Sequence, residues 1–123
     1  MKIAFDFGGV VCETPEFREL VKVLLAAGTE VHLITIAWAH EGRAEFVEKM
    51  GIPFTGVHII IEDGKISHGA EKVRVMKEVG CNILVDDSVN VINAVRDAGM
   101  IGMQVYCPYF KGHGKKKIVE VER

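Results

Sequence analysis

Proline, cysteine and surplus charge are all scarce in this chain, and each shortage closes off a class of protein. Only 3 prolines stand among 123 residues, and 49% of the residues are hydrophobic against 26% charged. A chain of that make-up buries a core instead of staying disordered. The 3 cysteines, Cys12, Cys81 and Cys107, are odd in number and form no Cys-x-x-Cys pair. This argues against a disulfide framework and against a structural zinc site, and it suits a reducing compartment in which each cysteine is a small apolar residue. The formal net charge is −2, from 15 Lys+Arg and 17 Asp+Glu, so the basic field that nucleic-acid backbone binders carry is missing. No run approaches the about 18 apolar residues of a membrane span, and the carboxylate of Asp6 comes too early for a secretory leader. The expectation is a cytoplasmic protein with no membrane or nucleic-acid partner.

What is present is a regular alternation. Short apolar runs rich in β-branched residues stand at Ile3–Asp6, Val31–Thr35, Val57–Ile61, Ile83–Asp86 and Gly102–Tyr106; they read as buried strands. Between them Pro15–Ala27, His40–Met50, Ala70–Val79 and Val89–Ala98 carry apolar residues at helical spacing. Thr14-Pro15 and Ser88 mark helix starts, and Gly28, Gly51, Gly80 and Gly99 mark helix ends. The Asp63-Gly64 pair predicts a turn after the third strand. This order predicts an α/β, Rossmann-like three-layer sandwich with a mainly parallel five-stranded sheet. One domain of ordinary size uses the whole length, with residues 1–110 as the core and 111–123, rich in lysine, as a basic solvated tail.

Chemistry gathers at the strand ends. Asp6 ends the first strand, Thr35 the second, and Asp86-Asp87 the fourth. In a parallel sheet those ends share one edge, where open α/β sheets bind ligands. Carboxylates brought together repel unless a cation lies among them, and an all-oxygen donor set suits Mg²⁺. The alternative for Asp87 and Ser88 is that they cap the helix beginning at Val89. A phosphate beside the cation would use the Thr35 hydroxyl and Lys72, which opens the helix after the third strand; Lys77 lies more than a turn further on.

Phe5-Asp6-Phe7-Gly8-Gly9-Val10-Val11, then Thr35 behind an apolar strand, then Lys72, then Leu84-Val85-Asp86-Asp87 together resemble the four ordered motifs of the haloacid dehalogenase (HAD) superfamily of phosphatases. The resemblance runs from residue 3 to about residue 106. It implies a HAD-like fold in which Asp6 attacks phosphorus and becomes an aspartyl-phosphate. It also implies that Thr35 and Lys72, with Gly8 and Gly9, hold the phosphoryl group. Mg²⁺ would sit between Asp6, the Gly8 carbonyl, and Asp86 or Asp87. The substrate would be a phosphorylated small molecule or a larger phosphorylated partner.

Two departures from the pattern stand out. The phosphatase motif is Asp-x-Asp, and its second carboxylate, the proton carrier for the leaving group, is here Gly8. General acid–base catalysis contributes about 10²- to 10⁴-fold, so Gly8 favours substrates whose leaving group departs unprotonated, with His40 or Glu13 as substitute proton carriers. The second departure is the lack of room for a cap domain: residues 8–30 and 36–71 are taken up by core elements. An open site of this kind implies a large substrate, a partner that acts as the lid, or a homo-oligomer, with Ile36–His40 and its Trp38 as local cover. The main alternative is a catalytically weak HAD-like module that binds Mg²⁺ and a phosphorylated ligand. A response-regulator receiver has the wrong motif order, and a dehalogenase has no use for the Asp86-Asp87 pair.

Overall fold

The computed structural model describes residues 1–106; Cys107 and the predicted tail 111–123 lie outside the described residues. Among the described residues there are five strands, β1 (Lys2–Phe5), β2 (Glu30–Ala37), β3 (Gly56–Ile61), β4 (Ile83–Asp86) and β5 (Ile101–Gln104). They alternate with four helices, α1 (Pro15–Ala26), α2 (Arg43–Met50), α3 (His68–Val79) and α4 (Val89–Asp97). All strand pairs are parallel, in the order β3-β2-β1-β4-β5. The chain therefore steps outward from β1 in one direction to β3, then crosses back to place β4 on the other side of β1. That reversal opens a crevice between the C-terminal ends of β1 and β4.

The period-two alternation of the strands builds the three layers. Phe5, Leu33 and Val85 face one side and pack with Val21 of α1 and Val47 of α2. Their neighbours Ala4, Ile34 and Leu84 face the other and pack with Val75 and Met76 of α3 and Val91 and Val95 of α4. The central strands are thus buried on both faces, which is why they read as continuous apolar runs. Gly69 in the first turn of α3 sets how closely that helix meets α4, since a β-carbon there would stand 2.6 Å from the Ala94 Cβ. Among the described residues no helix is long and apolar enough to cross a membrane. Cys81 is buried and Cys12 half-buried, both as free thiols.

Several segments depart from the sequence expectation; α3 begins at His68 instead of Ala70, and β5 runs Ile101–Gln104 instead of Gly102–Tyr106. The helix predicted from His40 begins at Arg43, because Gly42 adopts a left-handed φ of +63° and separates it from a short helical turn, Ala39–Glu41. The second strand runs past Thr35 to Ala37, leaving less loop than the expected cover Ile36–His40. The segment Phe7–Val11, for which no regular structure is predicted, turns sharply with Gly8 at φ −67°, ψ 129° and Gly9 at φ 78°, ψ −3°. Those are the central angles of a type II turn, whose third position requires glycine.

Candidate active site

Asp6 follows β1 directly, its amide donating to the Val85 carbonyl of β4 at 2.9 Å, so the first strand delivers this side chain into the crevice. Asp86 is the last residue of β4, and Lys72 arrives from the second turn of α3. The Lys72 Nζ donates to Asp6 Oδ1 at 2.8 Å and to Asp86 Oδ2 at 2.6 Å. All three are nearly inaccessible, at 9%, 3% and 1% exposure for Asp6, Lys72 and Asp86. The other Asp86 oxygen accepts from the Ser88 amide at 3.0 Å, while the Ser88 hydroxyl caps α4 by accepting from the Val91 amide. Capping therefore falls to Ser88 and leaves Asp87 to the crevice.

Charge crowding dominates the electrostatics. Burial lowers the Lys72 ammonium, but Asp6 and Asp86 together outweigh it and hold the group above its ordinary value. Asp87 is pushed up to about 8, first by burial and then by its hydrogen bond to Asp86 and the charge of Asp6. One carboxylate oxygen from each of Asp6, Asp86 and Asp87 lies within 4.8 Å of the others. Three hard oxygen donors with a single ammonium between two of them, and a third that keeps a proton near neutrality, are short of positive charge. The residues fit a divalent cation such as Mg²⁺.

Asp87 has a folded pKa near 8 and an unfolded one near the ordinary carboxylate value of about 3.9. The folded state therefore holds the extra proton between these values, and stability declines as pH rises from about 4 to about 8. In metal-free protein the melting temperature is expected to fall across that window, and Asp87→Asn to flatten the fall. Thermal denaturation at a series of pH values checks both.

These groups share a cavity of about 350 Å³ lined by Asp6, Gly8, Thr35, Lys72, Asp86 and Asp87, all of them sequence-predicted, and also by Arg43, His68 and Ser88. Its size falls in the range of small-ligand sites, about 300–1,000 Å³. Gly9 does not line it. Its amide donates to the Glu13 carboxylate, and a β-carbon there would meet Asp87 Oδ2 at 2.3 Å. Gly9 thus shapes the turn and makes room for Asp87. Neither proposed substitute for the missing acid lines the cavity either. Glu13 is engaged by Gly9, and His40 is exposed and stacks on Trp38 with ring centroids 6.3 Å apart. The tryptophan expected as cover faces this histidine and a separate surface recess near Ile61.

Arg43 was not anticipated. Its Nη1 donates to the Thr35 hydroxyl oxygen at 2.5 Å, its guanidinium lies 5.0 Å from the Phe7 ring centroid, and its Nη2 is 3.5 Å from Glu41 Oε2. Thr35 is 1% exposed. Because its oxygen accepts from Arg43, its own proton is left to donate elsewhere. The signal for Arg43 was its place at the start of the helix after a strand, the same placement that singled out Lys72.

No family model matches the sequence, and no curated protein does. Solved structures do share the fold. Two chains from structures of the Pnkp1/Rnl/Hen1 complex, one of them described as an RNA repair complex, superpose with TM-scores of 0.69 and 0.68 at 16% identity over 85% of this chain. This chain spans only 45% and 42% of their length. The core domain of a Streptococcus pneumoniae TIGR4 protein assigned as a phosphoglycolate phosphatase superposes with a TM-score of 0.60 at 11% identity, covering 95% of this chain and 96% of that one. What they share with this chain is the fold.

Proposed function

We propose that this chain is a capless phosphohydrolase of the HAD type, with Asp6 as nucleophile. The observation that carries the reading is the buried Asp6–Lys72–Asp86 array at the topological reversal of the sheet, with Asp87 and the Thr35–Arg43 pair in the same cavity. The likeness in fold to the core domain assigned as a phosphoglycolate phosphatase supports it. Asp6, Asp86, Asp87 and the Gly8 carbonyl would hold Mg²⁺. When bound, the ion supplies positive charge to the phosphoryl oxygens and keeps the carboxylates ionised.

The remaining work belongs to side chains of this chain. An Asp6 oxygen bonds to phosphorus as the ester P–O bond breaks, giving an aspartyl-phosphate that water then hydrolyses. Lys72 holds Asp6 in place through one of its N–H bonds and fixes Asp86 through another. With two of its three donors so engaged, it has little left for the phosphoryl group. Thr35, which accepts from Arg43, donates its proton to a phosphoryl oxygen, and Arg43 supplies the positive charge that Lys72 has spent on carboxylates.

Arg43→Ala is therefore expected to raise KM and the inhibition constant for inorganic phosphate by roughly 10- to 100-fold, the loss of one or two hydrogen bonds to a charged group. Arg43→Lys should recover only part, since an ammonium cannot hold Thr35 and phosphate as a planar fork does. Steady-state kinetics with phosphate as a competitive inhibitor checks this.

Gly8 favours a second reading, a module that binds Mg²⁺ and a phosphorylated ligand with little turnover. Phosphate release from p-nitrophenyl phosphate, acetyl phosphate, glucose 1-phosphate and a nucleoside monophosphate, with Mg²⁺ or EDTA, separates the two. Mg²⁺-dependent release supports the enzyme. Mg²⁺ binding without release from any of them supports the module.

A further inference from the structure

The proton carrier missing at Gly8 has a counterpart among the side chains of the same cavity. His68 is the first residue of α3 and stands four residues before Lys72, which places both on one face of the helix a single turn apart. It lines the cavity beside Asp6, Gly8 and Lys72. Its Nε2 is hydrogen-bonded to Glu62 Oε2. That carboxylate is itself fixed: its other oxygen accepts from the Gly64 amide at 2.8 Å, and the Glu62 amide donates to the Ala37 carbonyl at 2.9 Å. The His68 side chain remains 52% exposed, open to solvent and to an incoming substrate. Among the described residues lining the cavity it is the only imidazole.

A carboxylate on one ring nitrogen orients an imidazole, selects its tautomer and stabilises its cation. With Nε2 committed to Glu62, Nδ1 is left to exchange a proton. We propose that His68 is the acid–base catalyst of this site and that Glu62 is its positioning residue. The inference rests on the phosphohydrolase reading and deepens it, because it extends the substrate class from phosphates with good leaving groups to ordinary alkyl phosphomonoesters.

Imidazolium His68 gives its proton to the ester oxygen as the P–O bond breaks and the Asp6–phosphorus bond forms, releasing the alcohol. Neutral His68 then takes a proton from water as the water oxygen bonds to phosphorus and the Asp6–phosphorus bond breaks. Hydrogen phosphate leaves, and Asp6 and imidazolium His68 are restored.

The decisive measurement is kcat/KM for wild type, His68→Gln and Glu62→Gln over aryl and alkyl phosphates of increasing leaving-group pKa, with the melting temperature of each variant. A protonated leaving group matters most where the alkoxide is poorest. His68→Gln should lose about 10²- to 10⁴-fold on the alkyl esters and less than about threefold on p-nitrophenyl phosphate, with Glu62→Gln shifted in the same sense by a smaller factor. A uniform loss across the series, or none, overturns the proposal while leaving the phosphohydrolase intact. Absence of hydrolysis of every ester by the wild type overturns both. Independently of turnover, ¹⁵N spectra of metal-free protein should show the His68 Nε2 signal moved in Glu62→Gln, and an unmoved signal overturns the pairing.

Discussion

Asp6→Asn is expected to abolish Mg²⁺-dependent phosphate release, lowering kcat by roughly 10⁴-fold or more, the scale on which nucleophile deletions act. The amide oxygen is a poor nucleophile towards phosphorus, and no other described carboxylate stands at the end of β1. Folding should survive. Asn has the same shape and its oxygen can still accept from Lys72 Nζ, which keeps its second bond to Asp86 at 2.6 Å. Burial already pushes the Asp6 carboxyl up, with Lys72 pulling it back and Asp86 adding to the rise, so replacing it by a neutral group relieves crowding. The variant should therefore melt at or above the wild-type temperature in metal-free buffer while turning over nothing. Release assays beside thermal denaturation test both halves. Retained turnover in Asp6→Asn would remove Asp6 from the nucleophile's role.

That pairing of lost activity with kept stability is the mark of a residue held at a cost to the fold. The same holds for the neighbouring loop. Gly9 takes a positive φ, and its missing β-carbon leaves the space that Asp87 Oδ2 occupies. The turn Phe7–Val11 thus serves the carboxylate cluster through space left empty, which a glycine in a sequence cannot announce by itself.

The sheet and its helices were legible because their signals are local and strong. Ile3-Ala4-Phe5 and Ile83-Leu84-Val85 are buried on both faces and so read as unbroken apolar runs, and the residue that ends each run is where chemistry must begin. Lys72 could be placed because a helix that follows a strand starts at the same edge. The partners of these groups were not legible. Thr35 finds Arg43 eight residues on only because Gly42 turns left-handed and resets the helix start. Glu62 meets His68 only after the Asp63-Gly64 turn reverses the chain. His40 drew attention by type and position, yet its ring stacks on Trp38, away from the cavity. Side-chain pairing across a turn depends on angles that residue spacing does not specify.

Lys72→Met tests the other half of the site's electrostatics and is expected to be the most destabilising single change in it. Methionine reproduces the apolar stem of lysine out to the ε-carbon, so the slot on α3 stays filled and the effect isolates the ammonium. Removing the ammonium leaves the Asp6 and Asp86 carboxyls buried, each having lost a hydrogen bond, of 2.8 Å and 2.6 Å respectively. Breaking one partner out of a buried ion pair costs about 3–5 kcal/mol, a large share of the about 5–15 kcal/mol that holds a domain together. The cost has a sign in pH. Without the ammonium that pulls it back, burial pushes the Asp6 carboxyl further up, so the penalty is absent at low pH and grows as pH rises. Lys72→Met should therefore approach wild-type stability in mild acid and fall away from it towards pH 8. A neutral partner should undo part of the damage, making Asp6→Asn/Lys72→Met more stable than Lys72→Met alone, and Mg²⁺ should stabilise the single variant by supplying charge to the same carboxylates. Urea denaturation of wild type, Asp6→Asn, Lys72→Met and the double variant at pH 5 and pH 8, with and without Mg²⁺, measures each difference. A Lys72→Met variant as stable as wild type at pH 8 would mean that water or a protonated carboxyl already shares this charge, and that Lys72 is held there for the phosphoryl group instead of for the fold.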